Sequence, residues 1–332
     1  MTFQELFKIV NFYARFTPSY TKLGYYARRT GWGSALKPDF SGQRWLVTGA
    51  NSGIGAASTS LAAACGAEVV PVARSETRLQ QALALVPASS RARIQPQVAD
   101  LSSMVAIQAL VKRLTEEGQR FNVLVNNVGV LLNHHEVTDE GLETSFATNI
   151  LGHYLLTEGL VAAGALGDGA TVVSVSSGGM YNVPLGIGGL NVMDAAQYNG
   201  KASYAFAKRA QVALTDYWNS RYGSTGVRFY VMHPGWSKTP GVKVSLPTFW
   251  KIQRLLLRTP GQGADTIFWL CAARPDVKQD VIWFDRKARH THLFEHTRKA
   301  LCTDRELVAY LDQELNNIPD ISGVASAEDT KQ

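Results

Sequence analysis

From residue 44 onward, short apolar runs alternate with longer segments whose apolar positions recur at helical spacing. Apolar runs of about four to eight residues are typical of buried strands, and their alternation with helices is typical of βα units. The predicted strands cover residues 44–48, 68–73, 93–97, 121–126, 171–175, 227–232 and 281–284. This pattern predicts an α/β fold with a doubly wound parallel sheet.

The segments at the two ends of the chain do not follow this alternation. Within the alternating region, long helices are predicted over 139–163 and 201–222. Near the C-terminus, a last helix is predicted over 304–316. We therefore expect a single domain with appendages. Its expected parts are an N-terminal arm over 1–40, an α/β domain with the site over 41–286, and a C-terminal extension with a polar tail over 287–332.

Composition excludes several classes of protein. The 332 residues are 45% apolar, which is enough for a large core. Six Lys or Arg and two Asp or Glu give the arm four of the six net positive charges, so the rest of the chain is nearly neutral. No block of Lys or Arg resembles a nucleic-acid footprint. The three distant cysteines fit a reducing compartment. Without a secretory signal or a membrane-spanning apolar run, we expect a cytoplasmic protein that is not secreted.

The N-terminal arm has an amphipathic pattern with basic residues away from the apolar stripe. The stripe consists of Phe3, Leu6, Phe7, Val10, Tyr13 and Ala14. A basic, aromatic helix of this kind can lie in a membrane interface, or it can dock on its own domain. Both alternatives are open, so peripheral contact with an intracellular membrane is one expectation for this chain.

A glycine-rich turn follows the first predicted strand. Gly49, Gly53 and Gly55 separate that strand from an alanine-rich helical segment. Such a turn lets backbone N–H groups and a helix N-terminus bind a phosphate, although glycines also occur in plain strand-to-helix turns. Because the strand, turn and helix are all present, the sequence favours nucleotide binding.

A tyrosine and a lysine lie one helical turn apart in the predicted helix 201–222. The phenol of Tyr204 and the ammonium of Lys208 therefore share one helix face. A nearby cation favours the phenolate, which lowers the pKa of a tyrosine. Tyr204 is a candidate proton donor or acceptor for a carbonyl/alcohol pair. Taken alone, the pair is weak evidence, because any long helix can contain one.

The set of motifs resembles that of the short-chain dehydrogenase/reductases from about Arg44 to Phe284. In chain order it reads TGANSGIG at 48–55, NNVG at 126–129, SS at 176–177 and YAFAK at 204–208. The resemblance implies a Rossmann fold and an oxidoreductase in which a nicotinamide cofactor carries the hydride. Val128 stands where the family usually has Ala, which implies slightly different packing of that turn.

The resemblance places the cofactor in loops that follow the predicted strands. The implied cofactor-binding residues are Thr48, Gly49, Asn51, Ser52, Gly53, Ile54, Gly55, Arg74, Asp100, Leu101, Asn127, Gly129, Tyr204, Lys208, Pro234, Gly235 and Thr239. By this resemblance Asp100 contacts adenine, with capping of the next helix as an alternative or additional role. Thr239 holds the amide of the nicotinamide.

The end of the second predicted strand bears on the choice between NAD and NADP. An acidic residue there would bind the ribose 2′-hydroxyl of NAD, but residues 72–75 contain none. Arg74 can instead pair with the 2′-phosphate of NADP, and Ser75 can add a hydroxyl. A solvated arginine is the alternative. The sequence favours NADP(H) over NAD.

The same resemblance assigns four catalytic roles. Tyr204 is the acid/base, and Lys208 lowers its pKa and holds the nicotinamide ribose. Ser177 hydrogen-bonds the substrate oxygen, and Asn149 anchors a water that links Lys208 to solvent. Each residue also has a purely structural alternative. Together they favour an NADP-dependent enzyme over a catalytically silent nucleotide-binding protein that acts in assembly or sensing.

The expected substrate is lipophilic. Residues 240–258 after Thr239 are rich in apolar side chains, and in the family this region covers the substrate. Met180, Tyr181 and Trp236 are expected to line the same cleft. A lipophilic ketone, aldehyde or alcohol fits such a lid, and ordinary helix packing is the alternative.

Three further expectations complete the sequence-based picture. The stretch 178–197 between Ser177 and Tyr204 is rich in glycine and is interpreted as an insertion beside the substrate pocket. No metal site is predicted, because the histidines form no i,i+4 pair with a carboxylate partner. A homodimer is left open.

Overall fold

The computed structural model describes residues 14–33, 36–319 and 321. Eight strands within these residues form one sheet in the order β3-β2-β1-β4-β5-β6-β7-β8. The strands are β1 Arg44–Thr48, β2 Glu68–Ala73, β3 Gln97–Val98, β4 Val123–Asn126, β5 Thr171–Val175, β6 Arg228–Met232, β7 Val281–Phe284 and β8 Lys287–His290. Strands β1 to β7 are parallel, and β8 runs antiparallel to β7. The strand order reverses between β1 and β4, which is where open α/β sheets bind ligands.

The helices cover both faces of this sheet. They are α1 Lys22–Arg29, α2 Gly53–Ala64, α3 Glu76–Ala84, α4 Ala88–Arg91, α5 Met104–Glu116, α6 Thr144–Phe146, α7 Gly152–Ala162, α8 Gly200–Tyr222, α9 Pro240–Ser245, α10 Pro247–Gln253, α11 Pro260–Ala273 and α12 Asp304–Asn316. A π-helical turn over Ala147–Leu151 joins α6 to α7, and a 3₁₀ turn covers Gly178–Asn182.

Two hydrophobic cores lie on opposite faces of the sheet. Leu46 of β1 belongs to the core under α5, α7, α8 and α12, whereas its neighbours Trp45 and Val47 belong to the core under α2 and α11. Side chains alternate between the faces of a strand, so a sheet buried on both faces needs continuous apolar strands. The predicted doubly wound α/β fold is confirmed.

The third strand differs from its predicted position at 93–97. The paired residues are Gln97–Val98, and Ile94 makes only an isolated bridge to Val69. Pro96 lies between these two pairings and has no N–H to donate to the ladder. The long helix predicted from residue 139 also begins later, at Thr144.

The sequence analysis missed strand β8. Asp285 and Arg286 form the two-residue turn between β7 and β8 with φ of +50° and +59°. Such a turn normally selects Asn or Gly, because most side chains disfavour positive φ. Here the surrounding ion pairs hold both residues: Asp285 pairs with Arg28 and Arg258, each at 2.6 Å, and Arg286 pairs with Asp265 at 2.7 Å.

The described part of the N-terminal arm docks on the α/β domain. Residues 14–20 are helical, α1 follows, and the backbone N–H of Lys22 donates to the Leu256 carbonyl at 2.9 Å. Docking is thus observed for residues 14–33, whereas positions 3–13 of the predicted stripe lie outside the described residues. Among the helices that the structure describes, none is long and apolar enough to cross a bilayer.

Candidate active site

The glycine turn connects β1 to α2 at the crevice of the sheet. Gly49 and Gly53 have φ of +65° and +56°, which side chains with a Cβ rarely adopt. A Cβ on Gly55 would lie 2.6 Å from Asn127 Nδ2 and would also clash with the Gly49 carbonyl. Ser52 precedes α2 without capping it through its side chain, so the first N–H groups of this helix are left for another acceptor. These features fit a bound phosphate.

The residues beside the turn, Asn51, Ser52 and Ile54, lie at the start of α2. Ile54 is buried against α11, where a Cβ on Gly263 would lie 3.2 Å from its Cγ1. Asn51 and Ser52 are half-buried. The turn therefore has one apolar anchor in the core and two polar residues at its accessible side.

Thr48 and Asn127 hold the glycine turn against the end of β4. Thr48 Oγ1 accepts the backbone N–H groups of Asn127 at 2.9 Å and Val128 at 3.0 Å. Asn127 Nδ2 donates to the Thr48 carbonyl at 2.7 Å. These two predicted cofactor residues therefore hold the glycine turn and the end of β4 together and so fix the shape of the crevice.

The predicted adenine side of the site contains Arg74, Asp100 and Leu101. Arg74 is exposed at the end of β2, where a phosphate can reach it. Asp100 Oδ1 accepts from the backbone N–H and hydroxyl of Ser102 at 2.9 and 2.7 Å, and Leu101 is buried. The alternative that Asp100 caps the next helix is wrong, because Ser103 is the N-cap of α5. The adenine contact stays a prediction.

The loop after β6 returns to the glycine turn. Gly235 has φ of +69°, and Pro234 precedes it. The methyl group of Thr239 lies close to Gly53, since a Cβ added there would be 2.9 Å from Thr239 Cγ2. Thr239 Oγ1 also caps α9 by accepting from Val242 N at 3.3 Å. Two predicted cofactor loops, distant in sequence, therefore share one crevice.

Ser177, Tyr204 and Lys208 also meet in this crevice. The hydroxyl of Ser177 hydrogen-bonds the phenol of Tyr204. Lys208 Nζ lies 5.6 Å from the centre of the Tyr204 ring. A Cβ on Gly129 would lie 3.3 Å from Lys208 Nζ, so the NNVG turn directly adjoins the lysine. The structure brings the three predicted catalytic side chains to the carboxyl ends of β4 and β5.

Burial affects the protonation of both side chains of this pair. Burial raises the pKa of Tyr204, and only the hydrogen bond from Ser177 opposes this shift. Burial also lowers the pKa of Lys208 to about 7, and its Nζ donates to the Val175 carbonyl at 2.9 Å. In the protein alone the burial of Tyr204 outweighs any lowering of its pKa by Lys208, and the lowering expected from the sequence stays a prediction.

Gln211 connects Lys208 to Asn149, and the sequence analysis missed it. Its Nε2 donates to the Asn149 carbonyl at 2.8 Å and to His153 Nδ1 at 2.9 Å, while its Oε1 lies 3.4 Å from Lys208 Nζ. His153 Nε2 in turn donates to the Val128 carbonyl at 2.8 Å. Burial lowers the pKa of His153 to about 3, so this ring is neutral and its Nδ1 can accept.

The side chain of Asn149 has a structural role. Its side chain forms two hydrogen bonds with the backbone of Val130, both at 2.8 Å, and thereby holds the loop after β4. Its carbonyl, in the π-helical turn, bonds to the Gln211 amide. The Gln211 side chain therefore connects Asn149 to Lys208, and the water that would link Lys208 to solvent stays a prediction. Gln211 lies three residues after Lys208 on α8, and this i,i+3 spacing is the signal that could have revealed it.

A cavity of about 60 Å³ adjoins Ser177. Its lining consists of Phe16, Tyr20, Ser177, Gly178, Gly179, Asn182 and Trp236. Trp236 was expected there, but Phe16 and Tyr20 come from the arm and were not. Met180 and Tyr181 were expected to line the cleft and do not. They are buried in a small core with Val212 of α8 and two strand residues, because the 3₁₀ turn directs them inward.

The predicted lid forms two short helices, α9 and α10, beside this cavity. Phe249 packs edge-on against Trp236 with ring centres 4.9 Å apart. Val244, Ile252 and Leu255 are 76%, 62% and 74% exposed. Ordinary packing against the core, the alternative interpretation of this segment, does not account for these three side chains.

Comparison with known proteins agrees with the fold. Residues 43–248 match the family model of the short chain dehydrogenases, and the chain belongs to this family. It is therefore an oxidoreductase of a family that uses NAD(P). The chain is 34% identical to dehydrogenase/reductase SDR family member 12 from Bos taurus, over 93% of this chain and 98% of that protein.

Two further similarities are more distant. Retinol dehydrogenase 13 from Homo sapiens is 28% identical, over 74% of this chain and 76% of that protein. Among solved structures, a short chain dehydrogenase from Burkholderia cenocepacia J2315 in complex with NADP is 26% identical. The match covers 70% of this chain and 91% of that protein's chain, with a TM-score of 0.57.

Proposed function

We propose that this protein is an NADP(H)-dependent oxidoreductase that interconverts a lipophilic carbonyl compound and its alcohol. The observation that carries the proposal is the meeting of Ser177, Tyr204 and Lys208 beside the glycine turn. The cofactor, when bound, supplies or accepts the hydride. Ser177 holds the substrate oxygen, and Tyr204 gives or takes the proton at that oxygen. With a pKa of about 7, Lys208 can exchange a proton near neutral pH.

The decisive experiment removes the phenolic oxygen of Tyr204. Tyr204→Phe is expected to lower kcat/KM by roughly 10²–10⁴-fold, the usual contribution of general acid–base catalysis. The Kd for NADPH should stay within about twofold, since the ring is retained. NADPH absorbance measures turnover, and calorimetry measures binding. Tyr217→Phe on the same helix, whose hydroxyl bonds Arg221, is the control. Undiminished turnover in Tyr204→Phe would refute the assignment.

The preference for NADP rests on Arg74. Its exposed guanidinium stands at the end of β2, and residues 72–75 offer no carboxylate to a ribose 2′-hydroxyl. The NADP complex of the Burkholderia cenocepacia protein supports the same preference. Arg74→Asp should shift the ratio of kcat/KM values from NADPH toward NADH, whereas Arg305→Asp on the distant α12 should not. An unaltered ratio in Arg74→Asp would exclude the phosphate role.

The lipophilic character of the substrate rests on the aromatic lining of the cavity at Ser177. Phe16, Tyr20 and Trp236 contribute three rings, and apolar walls of this kind favour apolar ligands. The name of the human relative, retinol dehydrogenase 13, points to a lipophilic alcohol for that protein. A panel of lipophilic and sugar-like carbonyl compounds tests this property by NADPH oxidation. Turnover of only the sugar-like compounds would contradict it.

We further propose that the lid side of the protein contacts an intracellular membrane peripherally. Exposed Leu23 of α1 joins Ile252 and Leu255 beside the lid, because the Lys22 N–H bonds directly to Leu256. Residues 236–256 contain four exposed Lys or Arg and no Asp or Glu, which favours anionic lipid.

Flotation with anionic vesicles tests this contact. The double variant Ile252→Asp, Leu255→Asp should remain in the bottom fraction of the gradient. Leu85→Asp, at another exposed site, should float with the vesicles like the wild type. Wild-type protein that never floats would refute membrane contact.

A further inference from the structure

The N-terminal arm reaches the place where the substrate must bind. Phe16 and Tyr20 share the lining of the 60 Å³ cavity with Ser177. The Tyr20 ring lies against the serine loop, since a Cβ added to Gly178 would be 2.6 Å from Tyr20 Cε2. The arm precedes the segment that matches the family model, which begins at residue 43. Part of the cleft is therefore built by residues outside the matched domain.

Aromatic packing holds Tyr20 in this position. Its ring centre lies 4.9 Å from His233, 5.3 Å from Phe284, 5.8 Å from Trp236 and 5.0 Å from Phe16. Edge-on and tilted contacts at these distances are favourable arrangements of aromatic rings. The Tyr20 carbonyl also accepts the Trp236 N–H at 2.9 Å. Both the ring and the backbone of Tyr20 are therefore bound to the loop after β6.

A buried cluster of charges anchors the arm on either side of Tyr20. Arg258 Nη2 donates to the Ser19 carbonyl at 3.2 Å, and its Nε donates to the Thr21 carbonyl at 3.3 Å. The Asp285 carboxylate accepts hydrogen bonds from Arg258 at 2.6 and 2.9 Å and from Arg28 at 2.6 Å. Arg258 and Asp285 are 1% and 2% exposed. This cluster fixes the arm as a wall of the cleft.

The size of the cavity then limits what can reach Ser177. Its volume of about 60 Å³ is well below the roughly 300–1,000 Å³ of pockets that enclose drug-sized ligands. A carbonyl group with one slim substituent fits such a space. A ring carbon flanked by two bulky substituents does not fit, unless the Phe16 and Tyr20 rings move.

We propose that Phe16 and Tyr20 are specificity-determining residues that admit substrates with an unhindered reacting carbon, such as the end of an unbranched aldehyde or primary alcohol. The inference rests on the proposed function for the position of the reacting carbon at Ser177. It goes further by assigning the selection between substrates to the arm.

The experiment compares two carbonyl compounds of ten carbons each, decanal and the bicyclic ketone 2-decalone. The wild type is expected to prefer decanal. Tyr20→Ala should raise kcat/KM for 2-decalone relative to decanal by roughly tenfold or more, in the range that removal of pocket volume usually changes selectivity. Tyr26→Ala is the matched control, because Tyr26 is an exposed aromatic residue on the same arm. Its ratio should equal that of the wild type.

A binding measurement separates this inference from the proposed function. The Kd values of decan-1-ol and 2-decalol are measured by calorimetry with NADP present, in the Tyr204→Phe background without turnover. Tyr20→Ala should bring the two Kd values together even where the assigned acid/base is wrong. Tyr20→Leu retains an apolar side chain and should shift both ratios in the same direction if Tyr20→Ala does not fold.

Three outcomes would overturn the inference. The first is an unchanged ratio in the Tyr20 variants. The second is wild-type protein that binds 2-decalol as tightly as decan-1-ol, and the third is wild-type protein that binds neither alcohol.

Discussion

The cofactor end and the substrate end of the cleft are built by different kinds of contact. At the cofactor end, Gly55 and Asn127 approach so closely that a single added carbon would clash. At the substrate end, the cavity beside Ser177 is completed by Tyr20 and Trp236, which lie far from it in the chain. Backbone shape defines the first region, and long-range packing of side chains defines the second.

The ion pair behind the arm differs in burial from an exposed pair at the opposite edge of the sheet. The Arg44–Glu68 pair joins the first residues of β1 and β2, at the amino ends of these strands, with side chains that are 28% and 52% exposed. The Arg258–Asp285 pair behind the arm is almost completely buried. An exposed pair exchanges one polar environment for another, whereas a buried pair leaves an unsolvated charge when one partner is removed. The buried pair behind the substrate end should therefore be far more sensitive to loss of a charge than the exposed Arg44–Glu68 pair.

The largest expected effect comes from Asp285→Ala. Loss of this carboxylate leaves Arg258 buried without its ion partner, so the free energy of unfolding should fall by about 3–5 kcal/mol. Glu68→Ala removes the exposed partner of Arg44 and should cost about 0–1 kcal/mol. Urea denaturation measures both variants. Equal losses would show that burial does not make the Arg258–Asp285 pair more sensitive to loss of one partner than the exposed pair.

The next effect concerns the glycines of the two regions. Gly55→Ala should destabilise the fold by about 1–3 kcal/mol, because backbone atoms must move to admit the Cβ. It should also weaken NADPH binding by roughly tenfold or more, which corresponds to about 1.4 kcal/mol. Gly179→Ala, whose Cβ would meet Ser177 Oγ at an ordinary 3.6 Å, should leave the NADPH Kd unchanged. Similar Kd values in the two variants would contradict the dependence of the cofactor end on backbone shape.

Each region also contains one buried neutral histidine. Burial lowers the pKa of His153 and of His233 to about 3, below the unfolded value of 6.5. The unfolded chain therefore binds more protons between these values, so stability falls as the pH falls below 6.5. Each histidine contributes about 1.4 kcal/mol per pH unit in this window.

His233→Phe tests this pH dependence and should remove about half of the histidine contribution. The His233 ring stacks on Phe284 with centres 4.0 Å apart, so Phe can occupy its place. Burial raises the pKa of Asp216 to about 7, so this carboxyl makes the fold more stable as the pH falls. It does so equally in the wild type and in the variant. The difference between variant and wild type at pH 7 and pH 5 therefore isolates His233. An identical loss of stability on acidification in both proteins would contradict its role.

The smallest effect concerns Gln211, which we expect to be a positioning residue for Lys208. Gln211→Leu removes the oxygen that faces Lys208 Nζ and should lower the pKa of that lysine further, whereas Gln211→Glu should raise it. The pH profile of kcat/KM should shift in opposite directions in the two variants, with a several-fold loss of kcat in Gln211→Leu. Identical pH profiles in the two variants would show that Gln211 does not affect the pKa of Lys208.

Much of the fold could be predicted from local patterns. Strands β1, β2, β5 and β7 lie at their predicted bounds, because apolar runs between turns specify strands without reference to distant residues. Pro96 shortened β3 by removing one N–H donor. The β7–β8 hairpin was missed because Asp285 and Arg286 are not typical turn residues, and their conformation depends on ion pairs with residues far away in the chain.

The amino-acid sequence alone determined where most of the strands lie along the chain, the glycine turn, and the positions of Ser177, Tyr204 and Lys208, since each depends on residues close together in the chain. Only the tertiary structure decided that Tyr20 closes the substrate cavity and that Gln211 links Lys208 to Asn149. It also decided the direction of the Tyr204 pKa shift. These properties depend on burial and on contacts between distant segments, and no local pattern of residues contains that information.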